Sequence, residues 1–219
     1  AEQSYREVPS RIHSKLRTAK YGLEIQEIKD KGRGVFTTND IIPVGGVVIS
    51  DNPVVYSLDP TLKSTHCDSC LGELSRPLRC ARCKWSWYCS KACQKASWMI
   101  HKYECKCLEK LAPKRPTKSM ILLFRLVIRA RLGHDEANVG YLVGHEGKLQ
   151  GKALEDMRML AAGTAMALQQ CSHLLPEGHD DLLGVPVLTR YCSIIMSNAV
   201  VISDGELRQV GAGLYPVVS

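Results

Sequence analysis

The chain of 219 residues has no long hydrophobic run. Its most apolar stretch, "MILLFRLVI" at residues 120–128, is far shorter than the ~20 residues of a membrane-spanning helix, and it contains Arg125. The first 20 residues are polar and charged, without the apolar segment of a secretory signal peptide. We therefore expect no membrane association and a reducing compartment, with the nucleus and the cytoplasm as the location.

Positive charge is concentrated in parts of the chain. The formal net charge is +7, yet residues 133–219 carry five basic against ten acidic groups. Residues 1–20 carry five against two, and residues 109–132 carry seven against one. Such polarity is compatible with nucleic-acid binding through the basic part. A solvated surface with a basic tail explains it equally well, so composition leaves both interpretations open.

Ten cysteines in a reducing compartment indicate metal ligation more than disulfide bonds. Seven of them and one histidine form four closely spaced pairs: Cys67-x2-Cys70, Cys80-x2-Cys83, Cys89-x3-Cys93 and His101-x3-Cys105. Eight such ligands supply two tetrahedral zinc sites. Because each zinc would have four protein ligands, no position is left for a reactive water, and both zinc ions are predicted to be structural.

The spacing of the last two pairs predicts helix. Ligands four residues apart lie on one helical face, and Ser90 and Ser97 are candidate N-caps. Corresponding ligands of the two pairs are eight residues apart, which is ~12 Å along a helix and too far for one ion. Each helical pair should therefore share its metal with one of the first two pairs, and two pairings remain open.

Three cysteines fall outside the four pairs. Cys107, Cys171 and Cys192 have no partner at ligand spacing and are predicted to be ordinary buried thiols.

Strand-like segments flank the cysteine-rich region. Before it, "YGLEIQEI", "GRGVFTT" and "GGVVISDNPVVYSL" alternate or run apolar. After it, residues 119–132 predict a largely buried helix, residues 152–170 a second helix, and "LTRYCSIIMSNAVVISD" a return to strands. We expect the separated strands to belong to one sheet system, with the cysteine-rich module and the helices inserted into it.

The segment "KDKGRGVF" (residues 29–36) contains a second candidate site. Gly32 and Gly34 allow close approach of the backbone to a ligand, and the basic Lys31 and Arg33 alternate with them. A tight hairpin turn explains the glycines about as well. The helix that follows a phosphate-binding glycine loop is absent from the pattern.

The cysteine-rich region resembles the MYND zinc finger. The likeness covers residues 67–105 and includes Tyr88 before Cys89, with Gln94, Trp98 and Lys102 in place. It implies a crossed arrangement and the docking of proline-rich partner peptides on the finger. One zinc would be held by Cys67, Cys70, Cys89 and Cys93, the other by Cys80, Cys83, His101 and Cys105.

From about residue 20 to residue 219 the chain resembles the SET and MYND domain (SMYD) family of protein-lysine methyltransferases. The resemblance implies an α+β fold in which the finger splits the SET domain. The implied divisions are a basic N-terminal tail (1–20), N-terminal SET strands (21–65), the finger (66–107), a helical insert (108–190) and the start of the C-terminal SET core (191–219).

The same resemblance implies a function. The family transfers a methyl group from S-adenosylmethionine to lysines of histones or other proteins, in chromatin regulation among other settings. The residues that match its cofactor site are Lys31, Gly32, Arg33, Gly34 and Asn198.

Three departures from the family pattern qualify this prediction. Val200 replaces an aromatic residue that lines the lysine channel, and Ser197 replaces a cysteine. After "GLYP" the sequence also lacks the "NHSC"-type segment that completes the cofactor pocket, and the later catalytic tyrosine. Because such groups align the reaction, we expect the C-terminal part of the SET core to be missing and this chain alone to have little or no activity. The alternative function is a zinc-dependent interaction module that binds proline-rich partners in transcriptional regulation.

Overall fold

The computed structural model describes residues 7–17, 19–29, 31–38, 41–134, 139–178 and 180–215. Within these residues it has five α-helices and seven β-strands. In chain order they are α1 (Ser10–Arg17), β1 (Leu23–Ile28), β2 (Gly32–Thr37), β3 (Val55–Leu58), β4 (Leu78–Arg79), β5 (Trp87–Tyr88), α2 (Lys91–Leu111), α3 (Lys118–Arg131), α4 (Gly151–Gln170), α5 (Val185–Asn198), β6 (Ala199–Ser203) and β7 (Gln209–Leu214). Short 3-10 helices occupy Pro60–Leu62, Ser172–Leu174 and Asp180–Leu183.

The strands form three antiparallel sheets. Strands β1 and β2 make a hairpin in which Ile28 pairs with Gly32. Strands β4 and β5 make a two-residue ribbon inside the cysteine-rich region. The third sheet has the order β3-β7-β6. The structure is therefore a mixed α/β fold, as expected. Within the described residues, however, β1 and β2 pair with each other and not with the third sheet.

Strand β3 pairs with a strand from the far end of the chain. Val55 is opposite Leu214 and Leu58 is opposite Gly211, so the cysteine-rich region and helices α2 to α5 lie between paired strands in sequence. The two backbones are close enough that a Cβ atom at Gly211 would collide with the carbonyl oxygen of Ser57. The predicted insertion between distant strands is thus present for β3 and β7.

Helix α3 is the centre of the hydrophobic core. Leu122, Leu123 and Leu126 pack with α1, β3 and α5, whereas Phe124 and Val127 pack toward α4 and the end of α2. All five side chains are 2% exposed or less. Since a fully buried side chain of this size stabilises the fold by about 1.5 to 3 kcal/mol, α3 is the main apolar support of both neighbouring layers.

The structure differs from the sequence-based prediction in three places. Residues 10–17 form helix α1, which buries Ile12 and Leu16, although a tail was expected there. Three strands, β1 to β3, form where three or four were predicted, because within residues 45–58 only Val55–Leu58 pairs in a sheet. Residues 188–204 were expected to be strands, but 188–198 belong to helix α5, because the buried positions Leu188, Cys192 and Ile195 follow helical spacing; Ala199–Ser203 form β6 as predicted.

Among the residues that the structure describes, no helix combines the length and the apolar composition that crossing a membrane requires.

Candidate functional site

Two similar turns carry the first four cysteine ligands. In the first, the amide of Leu71 donates to the carbonyl of Cys67 over 2.9 Å; in the second, the amide of Lys84 donates to Cys80 over 3.0 Å. Leu71 and Lys84 both have positive φ, 62° and 52°. A non-glycine residue in this region is strained, and such strain occurs where the surroundings hold the backbone in place. Each turn thereby directs both of its thiols to one side.

The remaining ligands come from the start and middle of α2. Ser90 is the N-cap of this helix, and its hydroxyl accepts the amide of Cys93 over 3.1 Å. Cys89 precedes the cap, so it lies outside the helix although its spacing predicted otherwise. His101 and Cys105 follow within the same helix. Ser97, the other candidate cap, lies inside α2 because the helix continues without a break from Lys91 to Leu111.

The eight ligand atoms form two separate clusters. One consists of Cys67, Cys70, Cys89 and Cys93, the other of Cys80, Cys83, His101 and Cys105, and within each the ligand atoms lie within 4.8 Å of one another. This is the crossed arrangement. The continuous helix keeps its own two pairs of ligands too far apart to share an ion, and the positions of the two turns in the folded chain select the crossed pairing from the two that remained.

Zinc fits both clusters. Ligands ~2.0 to 2.3 Å from a tetrahedral ion lie roughly 3.3 to 3.8 Å from one another. The sulfur atoms of Cys70 and Cys89 are 3.7 Å apart, those of Cys89 and Cys93 are 3.4 Å apart, and Sγ of Cys83 is 3.7 Å from Nε2 of His101. Three thiolates with an imidazole, and four thiolates, are typical structural zinc sites. Both clusters are zinc-binding sites, and their ligand sets leave no position open for a substrate.

A buried carboxylate orients the histidine ligand. Oε2 of Glu104 accepts Nδ1 of His101 over 3.2 Å, which leaves Nε2 free to face the metal. Arg125 of α3 donates to Glu104 through Nε and Nη2, at 2.9 and 3.2 Å, and to the carbonyl of Tyr56 in β3 over 2.5 Å. Burial would raise the pKa of Glu104, but Arg125 and His101 hold that pKa well below its ordinary value.

Further contacts join the first cluster to β3 and the ribbon. The hydroxyl of Tyr56 donates to the carbonyl of Ser69 over 2.6 Å. Oδ2 of the buried Asp68 accepts the amide of Trp87 over 2.8 Å, while Oδ1 pairs with Lys63. Both zinc clusters are therefore attached to the third sheet through side chains next to their ligands.

The second candidate site lies where β2 and α5 meet one short segment. Gly32, Arg33 and Gly34 belong to strand β2 itself, and Lys31 lies in the turn before it. Nη2 of Arg33 donates to the carbonyl of Tyr141 over 2.7 Å.

Asn198 reaches the same segment from the last residue of α5. Its Nδ2 donates to the carbonyl of Val143 over 2.9 Å and to that of Ile194 over 2.8 Å. Carbonyl groups two residues apart are at most about 7 Å from each other. Arg33 and Asn198, far apart in sequence, are therefore brought to one corner of the fold.

Sequence reasoning did not identify residues 141–145 as part of a site. Arg190 donates to the carbonyl of Leu142 over 3.4 Å, and the amide of His145 donates to Oγ of Ser193 over 2.7 Å. Side chains of β2 and α5 thus hold consecutive backbone groups of this segment. The sequence of this segment, "YLVGH", has no regular hydrophobic periodicity, so its position at the site is evident only from the hydrogen bonds of the folded chain.

Comparisons with known proteins match the zinc finger and, more weakly, most of the chain. The family model described as "MYND finger" matches residues 67–105. The chain is 30% identical over 210 residues to the protein named histone-lysine N-methyltransferase ASHR1 of Arabidopsis thaliana, covering 90% of this chain and 41% of that protein. It is 30% identical over 197 residues to histone-lysine N-methyltransferase SMYD3 of Homo sapiens, covering 86% and 44%.

A fungal relative is named for both a SET domain and a MYND-type zinc finger. The SET domain and MYND-type zinc finger protein 6 of Schizosaccharomyces pombe is 33% identical over 138 residues, which is 61% of this chain and 28% of that protein. The chain spans less than half the length of each of these curated relatives. With the finger, its two clusters and this similarity over most of its length, the chain belongs to the SET and MYND domain (SMYD) family, whose named relatives here include histone-lysine methyltransferases.

Proposed function

We propose that this chain provides part of the cofactor site of a protein-lysine methyltransferase that uses S-adenosylmethionine. The observation that supports this most is the corner where Arg33 and Asn198 bind the same segment, residues 141–143. Both residues match the family's cofactor site by resemblance, and they come from opposite ends of the sequence. Folding therefore brings Arg33 and Asn198 close to each other, as a shared cofactor site would require.

The groups at this corner fit an amino acid or nucleoside ligand. Gly32 has φ +82°, a conformation that side chains disfavour, which requires glycine at this end of the hairpin and leaves no Cβ on that part of the proposed wall. Burial would raise the pKa of Glu146, but hydrogen bonds from Arg190, at 2.6 Å to Oε1, and from Ser193 lower it. An ionised carboxylate next to residues 141–145 suits an amino group of a ligand. Gly34 has another explanation, since an added Cβ would lie 2.9 Å from the ring of Phe36.

The residues of the chain would bind and orient the cofactor. We propose that Lys31, Gly32, Arg33 and Gly34 form one wall and Asn198 another, with residues 141–145 between them. Bound S-adenosylmethionine supplies the methyl group that a neutral lysine amine receives. Because in-line transfer requires alignment of the amine, the methyl carbon and the sulfur, the fixed backbone of this corner would serve that alignment. Neither zinc cluster takes part.

The substrate and setting of the reaction are proposed at family level. We propose a lysine of a histone or another protein, reached in the nucleus or the cytoplasm. The sequence contains no "NHSC"-type segment, in which the resemblance places further cofactor contacts. We therefore expect residues 1–219, assayed alone, to transfer methyl groups slowly or not at all.

Titration calorimetry of S-adenosylmethionine into the zinc-loaded chain tests the proposal. Saturable binding that Gly32→Val and Asn198→Ala each weaken at least tenfold would support it. Gly163→Ala is the matched control, because a Cβ there meets no atom within 4 Å and alanine suits a helix. Absence of binding to a folded chain with its full zinc content would refute the proposal for these residues. Equal weakening in the control would do the same.

A second candidate function is the docking of proline-rich peptides on the finger. Trp98 and Met99 of α2 are 49% and 56% exposed, so the helix that carries zinc ligands also presents two adjacent apolar side chains to solvent. An exposed tryptophan suits the flat face of a proline. Binding of a proline-rich peptide that is lost in Trp98→Ala and kept in Gly32→Val would assign this function to the finger, independently of the cofactor.

A further inference from the structure

A basic groove lies between the second zinc turn and the start of α3. Its volume is about 600 Å³. Five basic side chains and one carboxylate line it, namely Lys63, Arg79, Lys84, Arg115, Lys118 and Asp59. Trp85 and Trp87 contribute the aromatic part of its wall. The groove shares no residue with the corner proposed for the cofactor or with the ligands of either zinc.

Two of the five cations pair with a carboxylate among the residues that the structure describes. Lys63 pairs with Asp68, and Nζ of Lys118 lies 3.3 Å from Oδ2 of Asp59. Arg79 donates to the carbonyl of Lys84 through Nε and Nη2, at 2.9 and 2.5 Å, and has no carboxylate partner within the described ranges. Lys84 and Arg115 are exposed and have no carboxylate partner in the part of the chain that the structure describes. The groove therefore has an excess of about three positive charges.

The fold holds these cations at fixed places. The guanidinium carbon of Arg79 lies 5.1 Å from the ring centroid of Trp87, and that of Arg115 lies 6.0 Å from Trp85. Nζ of Lys63 also lies over Trp85, at 5.2 Å. Cations over aromatic faces lose less mobility on binding an anion than free side chains would.

The same ring contacts decide what kind of anion fits. Single-stranded nucleic acid is held by stacking of bases on aromatic side chains, and here basic groups already cover the tryptophan faces. An extended acidic peptide needs no free ring, because its carboxylates or phosphates contact the cations directly. Helix α3 adds to the positive electrostatic potential of the groove, because the N-terminus of a helix carries a partial positive charge. The helix begins at the groove with Thr117 as N-cap and has no acidic residue in its first turn.

We propose that this groove binds an acidic segment of a partner protein, whose clustered carboxylates or phosphoserines contact Arg79, Lys84 and Arg115. The proposal does not depend on cofactor binding. It also differs from the docking of proline-rich peptides, which would use Trp98 on α2.

Fluorescence anisotropy with the zinc-loaded chain tests this proposal. The probes are a labelled peptide of alternating Ser and Glu, the same peptide with phosphorylated serines, and a neutral peptide with Gln in place of Glu. We expect saturable binding of an acidic probe, weakened by salt, and none of the neutral one. Binding of both acidic probes would show that carboxylates suffice, and binding of the phosphorylated probe alone would show that phosphate is required.

Matched variants locate the binding site. Lys84→Asn with Arg115→Gln removes two charges from the groove, and asparagine tolerates the positive φ of residue 84. Lys91→Gln with Lys95→Gln removes two exposed charges from α2 outside the groove. We expect the first pair to weaken binding about tenfold or more, which corresponds to ~1.4 kcal/mol, and the control pair to change it little.

Three results would overturn the proposal. The first is failure of both acidic probes to bind a chain with its full zinc content. The second is an equal loss of affinity in the two pairs of variants. The third is tighter binding of a single-stranded DNA oligonucleotide that the groove variants weaken, since this would assign the groove to nucleic acid.

Discussion

Glu104 and Arg125 form a buried ion pair that joins the second zinc cluster to the core of the protein. Nε of Arg125 lies 2.9 Å from Oε1 of Glu104, whose other oxygen orients the ligand His101. The side chain of Arg125 is 13% exposed and that of Glu104 is 1% exposed. Because Arg125 of α3 also donates a hydrogen bond to the carbonyl of Tyr56 in β3, this one cation connects α2, α3 and the third sheet.

Replacing Arg125 should therefore destabilise more than the finger. We expect Arg125→Met to lower the free energy of unfolding by about 3 to 5 kcal/mol, because the carboxylate of Glu104 would remain buried without its cation. Urea denaturation followed by circular dichroism measures this. The control is Arg129→Met, one turn further along α3 and without a carboxylate partner among the described residues, which should cost less than ~1 kcal/mol. Equal effects would show that the ion pair contributes little.

Substitution of one ligand should remove zinc from its own cluster and leave the other cluster occupied. We expect two zinc ions per chain in the wild type and one in Cys83→Ser, because that change removes a ligand from the second cluster only. Elemental analysis of purified protein measures the ratio. Cys192→Ser should keep both ions, since this thiol lies in the core away from the clusters. A wild-type ratio of one, or a loss in the control, would contradict the assignment of the clusters.

The pairing of β3 with β7 should depend on a missing side chain. We expect Gly211→Ala to destabilise the protein by about 1 to 3 kcal/mol, because its Cβ would collide with the carbonyl oxygen of Ser57 on the adjacent strand. Thermal unfolding of the variant measures this effect. Gly205→Ala, in the turn after β6, places its Cβ in open space and is the matched control. A negligible effect at Gly211 would mean that the strands are farther apart than the structure has them.

Sequence alone predicted the zinc ligands best, because ligand spacing is a local property that needs no knowledge of the fold. It limited the metal partners of Cys89 and Cys93 to two choices, and only the positions of the two turns in the folded chain decide between them. Helix α3 was predictable for a related reason, since a helix with apolar residues on most of its faces must be buried on those faces.

Elements that depend on distant contacts were predicted poorly. The segment "LTRYCSIIMSN" is rich in β-branched and aromatic residues, yet it folds as part of α5 because Leu188 and Cys192 pack against the neighbouring helices. The role of residues 141–145 is a similar case, since the hydrogen bonds from Arg33 and Asn198 come from both ends of the chain. Residues 141–145 carry no short-range pattern that reveals this role, whereas in α5 the helical spacing of Leu188, Cys192 and Ile195 is present but masked by the β-branched composition.

Thiol reactivity offers a test of zinc binding and burial together. All ten cysteines are free of disulfides; seven belong to the zinc clusters, and Cys107, Cys171 and Cys192 are buried in the core as predicted. We expect the zinc-loaded chain to react with a disulfide reagent slowly at all positions, then at up to seven thiols after chelation, and at ten after denaturation. Spectrophotometric thiol counting measures each stage.

The pH dependence of this reaction separates burial from ligation. Burial raises the pKa of Cys192 to about 11, so its thiolate forms in the folded chain only well above neutral pH. The unfolded chain ionises a cysteine near its ordinary pKa of ~8.5, so denaturation should accelerate the reaction of Cys192 most around pH 8 and less as the pH approaches 11. Comparison of the wild type with Cys192→Ser isolates this one thiol. Rapid reaction of Cys192 in the folded, zinc-loaded chain at pH 8 would contradict its burial and the packing of α5 around it.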